Sequence, residues 1–378
     1  MKKKIKKFVI YIFAIYIGLS AFMNLKGLIK YYVYKKAPSS EWTPQMGDKL
    51  EVDYSSVFWG KMQYVNLNGL FKKMLHQREM NGVTKLNNGW LASIDNDSST
   101  DKIIENVQSL KQLNDYLGQK NIEFLFVVTP DTVCKYNNQL PEGVIDYTNA
   151  KLDVFVEQLE RENVNYIDLR ESMYEDGINQ YDLFYKTDHH WNVRGGMYAA
   201  KKIIESAEEI FQEDIDESIV DIDNYQSIIY SKWHLGSKGQ RVGRYFAGID
   251  DFEILIPDFD TQIQRLEDGE SGNFKEIFIN ETALINRNYE SRYTYDTTYN
   301  CIGKEYINTY AACERKIQLV SDSMGRVVVP FLSLAFKDIG SNVYELVSLE
   351  KGEEQPDMVV MLLHPMNVFG EDYFKFDL

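Results

Sequence analysis

Two hydrophobic periods alternate along most of this chain, and that alternation narrows its possible folds more than any other feature. Ile103, Ile104, Val107, Leu110, Leu113 and Leu117 recur at helical spacing, which lays them along one face of a helix. Residues 122–129 then form an apolar run closed by Pro130, the pattern of a strand buried on both faces. A second helix is predicted over 147–163 and a short strand over 164–169. Met197, Ala200, Ile203 and Ile204 mark a third helix, and residues 317–320, 343–347 and 358–363 read as further short strands. Such alternation predicts an α/β fold in which helices cover both faces of a central parallel sheet. The rhythm breaks over 210–316, an acidic stretch rich in Tyr, Asn and Asp with short strands such as 252–256. It is predicted to be an insertion of mixed or β-rich content. Residues 37–100 carry turn formers at 87–89 and 95–99, and 37–84 are predicted to be an irregular lead-in to a domain spanning 85–378.

Charge divides the chain differently. The formal net charge is −16, yet residues 1–36 hold nine of the 41 basic residues and no acid. The remainder sets 32 basic against 57 acidic residues, a net of about −25. A body of that sign argues against nucleic acid, whose phosphates require a basic footprint. The lysines crowd Met1 to Lys7, and a nearly unbroken apolar run follows from Phe8 to Leu25. That run is long enough to cross a bilayer. The preceding positive charge predicts a single-pass anchor over 1–36, with its N-terminus in the cytoplasm and the body outside. A cleaved signal peptide is the alternative, although Ser20-Ala21-Phe22 makes a poor cleavage site. Cys134, Cys301 and Cys313 have no metal-like spacing. Cys301 and Cys313 are free to pair in an oxidising compartment or to serve as small hydrophobes.

The chemistry concentrates at Asp188, His189, His190 and Trp191, since the chain has only five histidines. In an extended segment Asp188 and His190 project to the same side, so the carboxylate can orient the imidazole. That is the base-and-orienter half of a nucleophilic triad, and His189 would point the other way. A matching nucleophile lies at Ser323. An apolar strand, Ile317-Gln318-Leu319-Val320-Ser321, runs into Asp322-Ser323-Met324-Gly325, and a helical pattern follows at Val327, Val328, Phe331, Leu332, Leu334 and Ala335. A serine at a strand-to-helix turn is exposed at the strand's carboxyl end, where open α/β folds hold their sites. The N–H groups of Ser323, Met324 and Gly325 are candidate oxyanion donors. Ser321, still inside the strand, is the alternative nucleophile.

Asp322-Ser323-Met324-Gly325 resembles the nucleophile block of SGNH hydrolases, often Gly-Asp-Ser-Leu, with Ser321 where the first glycine usually stands. Here the Asp-x-His block lies upstream of the serine. That permuted order is similar to the alginate O-acetyltransferase proteins AlgJ and AlgX and to the DHHW family. Asn88-Gly89-Trp90-Leu91, residues 126–131 and residues 356–360 also resemble those proteins, so the likeness spans about 85–378. It implies a three-layer, flavodoxin-like α/β/α sandwich. It also implies transfer of an acetyl group through an acetyl-serine at Ser323, with His190 as base and Asp188 as its orienter. The acceptor implied is a hydroxyl of an exported or cell-surface polysaccharide. The acetyl donor implied is a membrane-bound O-acyltransferase (MBOAT) partner, in which case the chain itself would need no cofactor. Two stretches depart from the family: Leu363-His364-Pro365 where Glu-Arg is frequent, and Ser348-Leu349-Glu350-Lys351 where an arginine is frequent. Both fall on the acceptor side.

The same triad would serve a carbohydrate acetylesterase if water is the acceptor, and a non-catalytic polysaccharide-binding scaffold stays open because of those departures. His189, Trp191, Arg326 and His364 are candidate substrate-edge residues. Each has an ordinary structural alternative: loop fixing for His189, core packing for Trp191, a solvated helix position for Arg326 and a strand cap for His364. Asp188, His189 and His190, with His234 or His364, offer metal-ligand types. Adjacent histidines diverge, however, and no His-x-x-x-His or cysteine cluster accompanies them, so no metal is expected.

Overall fold

The computed structural model describes residues 10–11, 14–25, 58–285, 287, 289, 294–311, 313–342, 355–370 and 372–376. The chain divides into two compact units, Met1–Asn68 and Gly69–Leu378. In the first, residues 14–25 are helical and Asn24 Oδ1 accepts the Trp59 N–H at 2.8 Å. Among the described residues no helix is long and apolar enough to cross a membrane. The predicted span from Phe8 to Leu25 includes positions 8, 9, 12 and 13, which lie outside the described residues, as do 1–7 and 26–36.

In chain order, β1 (Glu123–Val128) and β2 (Tyr166–Asp168) precede a hairpin of β3 (Tyr225–His234) and β4 (Asp250–Pro257). Then come β5 (Ile263–Arg265), β6 (Ser271–Gly272), β7 (Glu305–Asn308), β8 (Cys313–Ser321), β9 (Phe336–Asn342) and β10 (Met358–Leu363). Eight of them form one sheet in the order β2-β1-β10-β8-β9-β7-β5-β6. The first five are parallel, and β7, β5 and β6 continue the edge antiparallel. The helices that matter here are α1 (Asp101–Gln119), α2 (Thr148–Arg161), α3 (Val193–Phe211), α4 (Ser237–Val242), α5 (Thr294–Thr298) and α6 (Val329–Ala335).

Strand alternation explains why β10, and β1 after the exposed Glu123 at its start, are apolar. Phe124, Phe126 and Val128 face Leu110, Leu117, Phe155 and Leu159 of α1 and α2. Leu125 and Val127 face the opposite layer, which contains Ala200, Ile203 and Ile204 of α3 and Phe331 and Leu332 of α6. Successive residues of β10 alternate between the same two clusters. A strand covered on both faces has no position for a polar side chain. The layers are those of an SGNH-like α/β/α sandwich with a mostly parallel sheet. Neighbouring β1, β10 and β8 run directly into Thr129, His364 and Asp322, so three carboxyl-terminal strand ends converge on one edge.

Two expectations need correction, and one strand was not foreseen. The lead-in is ordered in part: Lys61–Met74 is helical, and Glu79–Met80, Val83–Lys85 and Leu91–Ala92 make a small sheet. That helix buries only Gly69, and its Leu67, Leu70, Phe71 and Met74 recur at helical spacing as an exposed stripe that sequence reasoning overlooked. The helix expected after Ser323 begins as a 3-10 turn, Ser323–Val327, before α6. The strand beside β8 is Phe336–Asn342, whose Lys337, Asp338, Gly340 and Ser341 disguise it, whereas the expected strand at 343–347 lies outside the described residues. The stretch 210–316 contains the β3–β4 hairpin, and its β5, β6 and β7 extend the main sheet.

Candidate active site

The Ser323 turn is held by Asp322. As N-cap of the 3-10 segment, Asp322 uses Oδ1 to accept the Met324 N–H at 2.9 Å, satisfying one orphan donor. Its Oδ2 accepts the His364 N–H at 2.7 Å and the Asn367 side-chain N–H at 2.6 Å. One carboxylate therefore locks the end of β8 to the end of β10. The Gly325 N–H donates to the Asp322 carbonyl at 3.1 Å. Two of the three predicted oxyanion donors are thus occupied within the turn, and the Ser323 N–H is the remaining one. Trp191 is fully buried and donates its indole N–H to the Met324 carbonyl at 3.0 Å. Gly196 lets α3 approach closely, since a Cβ there would stand 2.4 Å from the Val327 carbonyl oxygen. Ser321 is buried and packs against Gly325, so its hydroxyl is not presented.

The structure brings Ser323, His190 and Asp188 together. His190 Nε2 lies 2.7 Å from Ser323 Oγ. Its Nδ1 lies 3.4 Å from Asp188 Oδ2, an ion-pair distance just beyond an ordinary N–H···O bond. The reason predicted for this pairing was wrong. Residues 186–190 form turns and bends rather than an extended segment, so His189 does not point away. The two imidazoles face each other with centroids 3.8 Å apart, and both reach Asp188, His189 Nδ1 at 3.0 Å from Oδ1. The loop bends because Asp250, on β4, accepts the Lys186 N–H, the Thr187 N–H and the Thr187 hydroxyl at 3.2, 2.8 and 2.6 Å. Behind it, Leu91 donates its N–H to the Lys186 carbonyl at 3.0 Å, which gives residues 88–91 a buttressing position.

Asp188 is buried, and its carboxylate is fully engaged. Oδ1 accepts the His189 N–H at 2.8 Å and the Ser237 N–H and hydroxyl at 3.2 and 2.8 Å. Oδ2 accepts from His234 Nε2 at 3.0 Å. Burial alone would raise its carboxyl, but the surrounding imidazoles outweigh burial and hold it well below the usual carboxylate range. His190 moves the same way for a different cause. Burial, helped by neighbouring His189, lowers its imidazole although Asp188 opposes the shift. The arrangement is a neutral base beside a fixed anion. Tyr295 stacks on His190 with centroids 4.3 Å apart and planes 18° apart, and its hydroxyl reaches the Ser323 carbonyl at 3.4 Å.

The remaining candidates divide. Arg326 ion-pairs with Asp296 at 3.0 Å and donates to the Tyr299 carbonyl at 3.3 Å, which commits it to α5 and the residues after it. His364 follows β10 and is the N-cap of the short helix Pro365–Val368, its Nδ1 accepting the Met366 N–H at 3.2 Å, in place of the strand cap expected. Its Nε2 lies 3.6 Å from Asp131 Oδ1, and its ring meets His189 edge-on. Asp131 also faces the buried Lys238 at 3.8 Å. Burial raises the Asp131 carboxyl, yet Lys238 and His364 together pull it below its ordinary value. Cys134, Cys301 and Cys313 are free thiols. Asp188, His189 and His190 offer ligand atoms within 4.8 Å of one another. His189 Nδ1 faces Ser237 and Asp188, and His190 Nε2 faces Ser323.

Ser237, Asp250 and Tyr295 were missed by sequence reasoning, which weighed His234 only as a metal-ligand type, and all four come from the stretch read as an insertion. Scarcity was the available signal, because four of the five histidines converge here.

Residues 83–220 match the family described as SGNH hydrolase-like domain, acetyltransferase AlgX. That segment contains Asp188 and His190, and Ser323 lies beyond it. Among solved structures, Bacillus cereus PatB1 with a sulfonyl adduct is similar at 20% identity, over 80% of this chain and 99% of that one, with a TM-score of 0.61. A DHHW family protein from Eubacterium siraeum is similar at 18% identity, over 78% and 94% of the two chains, with a TM-score of 0.57. At such identities these likenesses establish the fold. No curated protein matches the chain.

Proposed function

We propose that this protein is a membrane-anchored, extracytoplasmic O-acetyltransferase that acetylates polysaccharide hydroxyls through an acetyl-Ser323 intermediate. The observation that carries the reading is the 2.7 Å contact between Ser323 Oγ and His190 Nε2 at the carboxyl edge of a parallel sheet. The AlgX-type match over 83–220 supplies the reaction class. In the first half-reaction His190 Nε2 takes the Ser323 proton while Oγ attacks the acetyl carbonyl of the donor. The tetrahedral oxyanion receives the Ser323 N–H, and the donor oxygen leaves with the proton held by His190. In the second, His190 takes the proton of the acceptor hydroxyl, whose oxygen attacks acetyl-Ser323, and the proton returns to Ser323 Oγ. Asp188 stays ionised and holds the proton of neutral His190 on Nδ1. No cofactor enters these steps. The acetyl donor is assigned to an MBOAT-type membrane partner, and residues 1–36 are assigned as the anchor that keeps the body beside it.

The test is to incubate the full-length protein with a chromogenic acetate ester and map acetyl groups by mass spectrometry. Acetyl on the Ser323 peptide is expected, and Ser323→Ala should lower ester turnover by about a thousandfold or more. Unchanged turnover in Ser323→Ala would remove the proposal. A polysaccharide acceptor that accelerates discharge of the acetyl-enzyme separates a transferase from an acetylesterase, which discharges to water alone.

A further inference from the structure

Asp188 answers to more than one imidazole through a single oxygen. Its Oδ2 faces His190 Nδ1 at 3.4 Å and His234 Nε2 at 3.0 Å, so the shorter contact belongs to the residue outside the proposed triad. His234 ends β3, is 1% exposed, and is packed by the rings of Tyr185 and Phe252 at 4.6 and 5.7 Å. Its Nδ1 is buried and without a hydrogen-bond partner. A proton on that nitrogen would be an unsatisfied buried donor, and it would turn the lone pair of Nε2 toward a carboxylate. The neutral ring therefore carries its proton on Nε2 and donates it to Asp188.

We propose that His234 is a positioning residue for the general base: its Nε2–H fixes the Asp188 carboxylate and takes up part of the charge that Oδ2 offers to His190. The inference rests on the acyl-transfer reading of Ser323, His190 and Asp188. Two imidazoles face one oxygen: His234 Nε2 stands within hydrogen-bond distance of it, whereas His190 Nδ1 is held at 3.4 Å and is buried without a hydrogen-bond partner. The 3.4 Å separation on the His190 side is what such sharing produces. It leaves His190 neutral enough to accept a proton while Asp188 still holds the ring. Leu235, Gly236 and Ser237 follow His234, and the Ser237 N–H and hydroxyl hold Oδ1. One short segment, 234–237, thus grips both oxygens of the carboxylate.

The experiment compares full-length wild type, His234→Phe and His234→Gln by the pH dependence of kcat/KM for acetate ester hydrolysis. Phenylalanine keeps the ring and loses the donor, whereas the glutamine side-chain nitrogen can stand where Nε2 stood. In His234→Phe kcat/KM should fall about 10-fold or more. The acid limb of its profile should move upward, because Oδ2 then answers to His190 alone. In His234→Gln most of the rate should return and the limb should sit near its native position. The titratable groups around Asp188, His190 and His234 include His189, Lys238, Tyr185, Tyr295, Asp296 and Asp250. None of them is altered, so a moved limb reports the Asp188 link.

A rate loss with the limb unmoved, or a glutamine variant no better than phenylalanine, would overturn the proposal and leave His234 a packing residue. Nitrogen-15 histidine spectra of the unsubstituted protein supply a test that needs no variant. An Nε2–H tautomer is expected at His234, and an Nδ1–H tautomer would overturn the proposal even if the phenylalanine variant fails to fold. Failure of the underlying reading looks different, since Ser323→Ala would then match wild type whatever His234 does.

Discussion

Gly236 shows how little room the proposed catalytic residues have. A Cβ at this position would stand 2.3 Å from Asp188 Cβ and 2.5 Å from its Cγ, inside any real contact distance. Gly236→Ala should therefore push the carboxylate away from His190. A misplacement of about 1 Å can cost about 100-fold in rate, so kcat for ester hydrolysis is expected to fall on that order while circular dichroism stays native. A second residue-scale prediction concerns His190. A protonated imidazole cannot take the Ser323 proton, so activity must vanish as pH falls through the folded-state value of His190. Burial and His189 depress that value, so the midpoint of the acid limb should lie below the ordinary imidazole value of about 6.5. The unfolded chain protonates this histidine first. The stability His190 contributes is therefore present above about 6.5 and lost as pH falls toward the folded-state value, which thermal melts across that window would show. Asp188, His190 and Ser323 were legible in the sequence because acid, imidazole and strand-end serine are rare in those combinations. His234 was not, since a lone histidine at the end of a strand carries no local sign that it meets a carboxylate 46 residues away.

Between elements, Trp191 is the tie that matters. It joins the histidine loop to the Ser323 turn through the Met324 carbonyl at 3.0 Å, while its ring fills the core beneath both. Trp191→Phe removes the donor and leaves that buried carbonyl unpaired, which should cost about 1–3 kcal/mol of stability. Because the orphaned group belongs to the nucleophile's own turn, ester hydrolysis should fall further than the lost stability alone implies. Urea unfolding and steady-state kinetics on one preparation test both parts. At this scale the alternating core was legible, because strands buried on both faces must be apolar throughout. Phe336–Asn342 was not, since it runs at the junction where the parallel part of the sheet turns antiparallel and carries Lys337, Asp338 and Ser341. The stretch 210–316 was read as an interruption, yet it supplies His234, Gly236, Ser237, Asp250 and Tyr295 to the site. Composition could mark where the core rhythm stops but not which side chains fold back onto it.

At the scale of the whole chain, charge and chemistry meet. An acetyl-transfer site outside the cytoplasm is cut off from the cell's activated acetyl groups, so its donor must arrive through the membrane. The nine lysines of residues 1–36 and the apolar run behind Lys7 fit an anchor that holds an acidic body, about −25 in net charge, close to that supply. Tethering raises the effective concentration of one partner at the other without any new contact. If this is how the protein works, removing residues 1–36 while exporting the body by a cleavable signal should separate two activities. Hydrolysis of a soluble acetate ester should persist within about threefold, because a tether acts on encounter and leaves the chemistry at Ser323 untouched. Acetylation of polysaccharide in cells should fall by about 100-fold, the low end of what lost effective concentration costs. Deleting the acyl-exporting partner while leaving the chain intact should reproduce the second loss and not the first. Ester hydrolysis on purified protein and acetyl content of isolated polysaccharide read the two arms. Full acetylation by the untethered body would show that the donor reaches Ser323 by diffusion, and residues 1–36 would then have no part in delivering it.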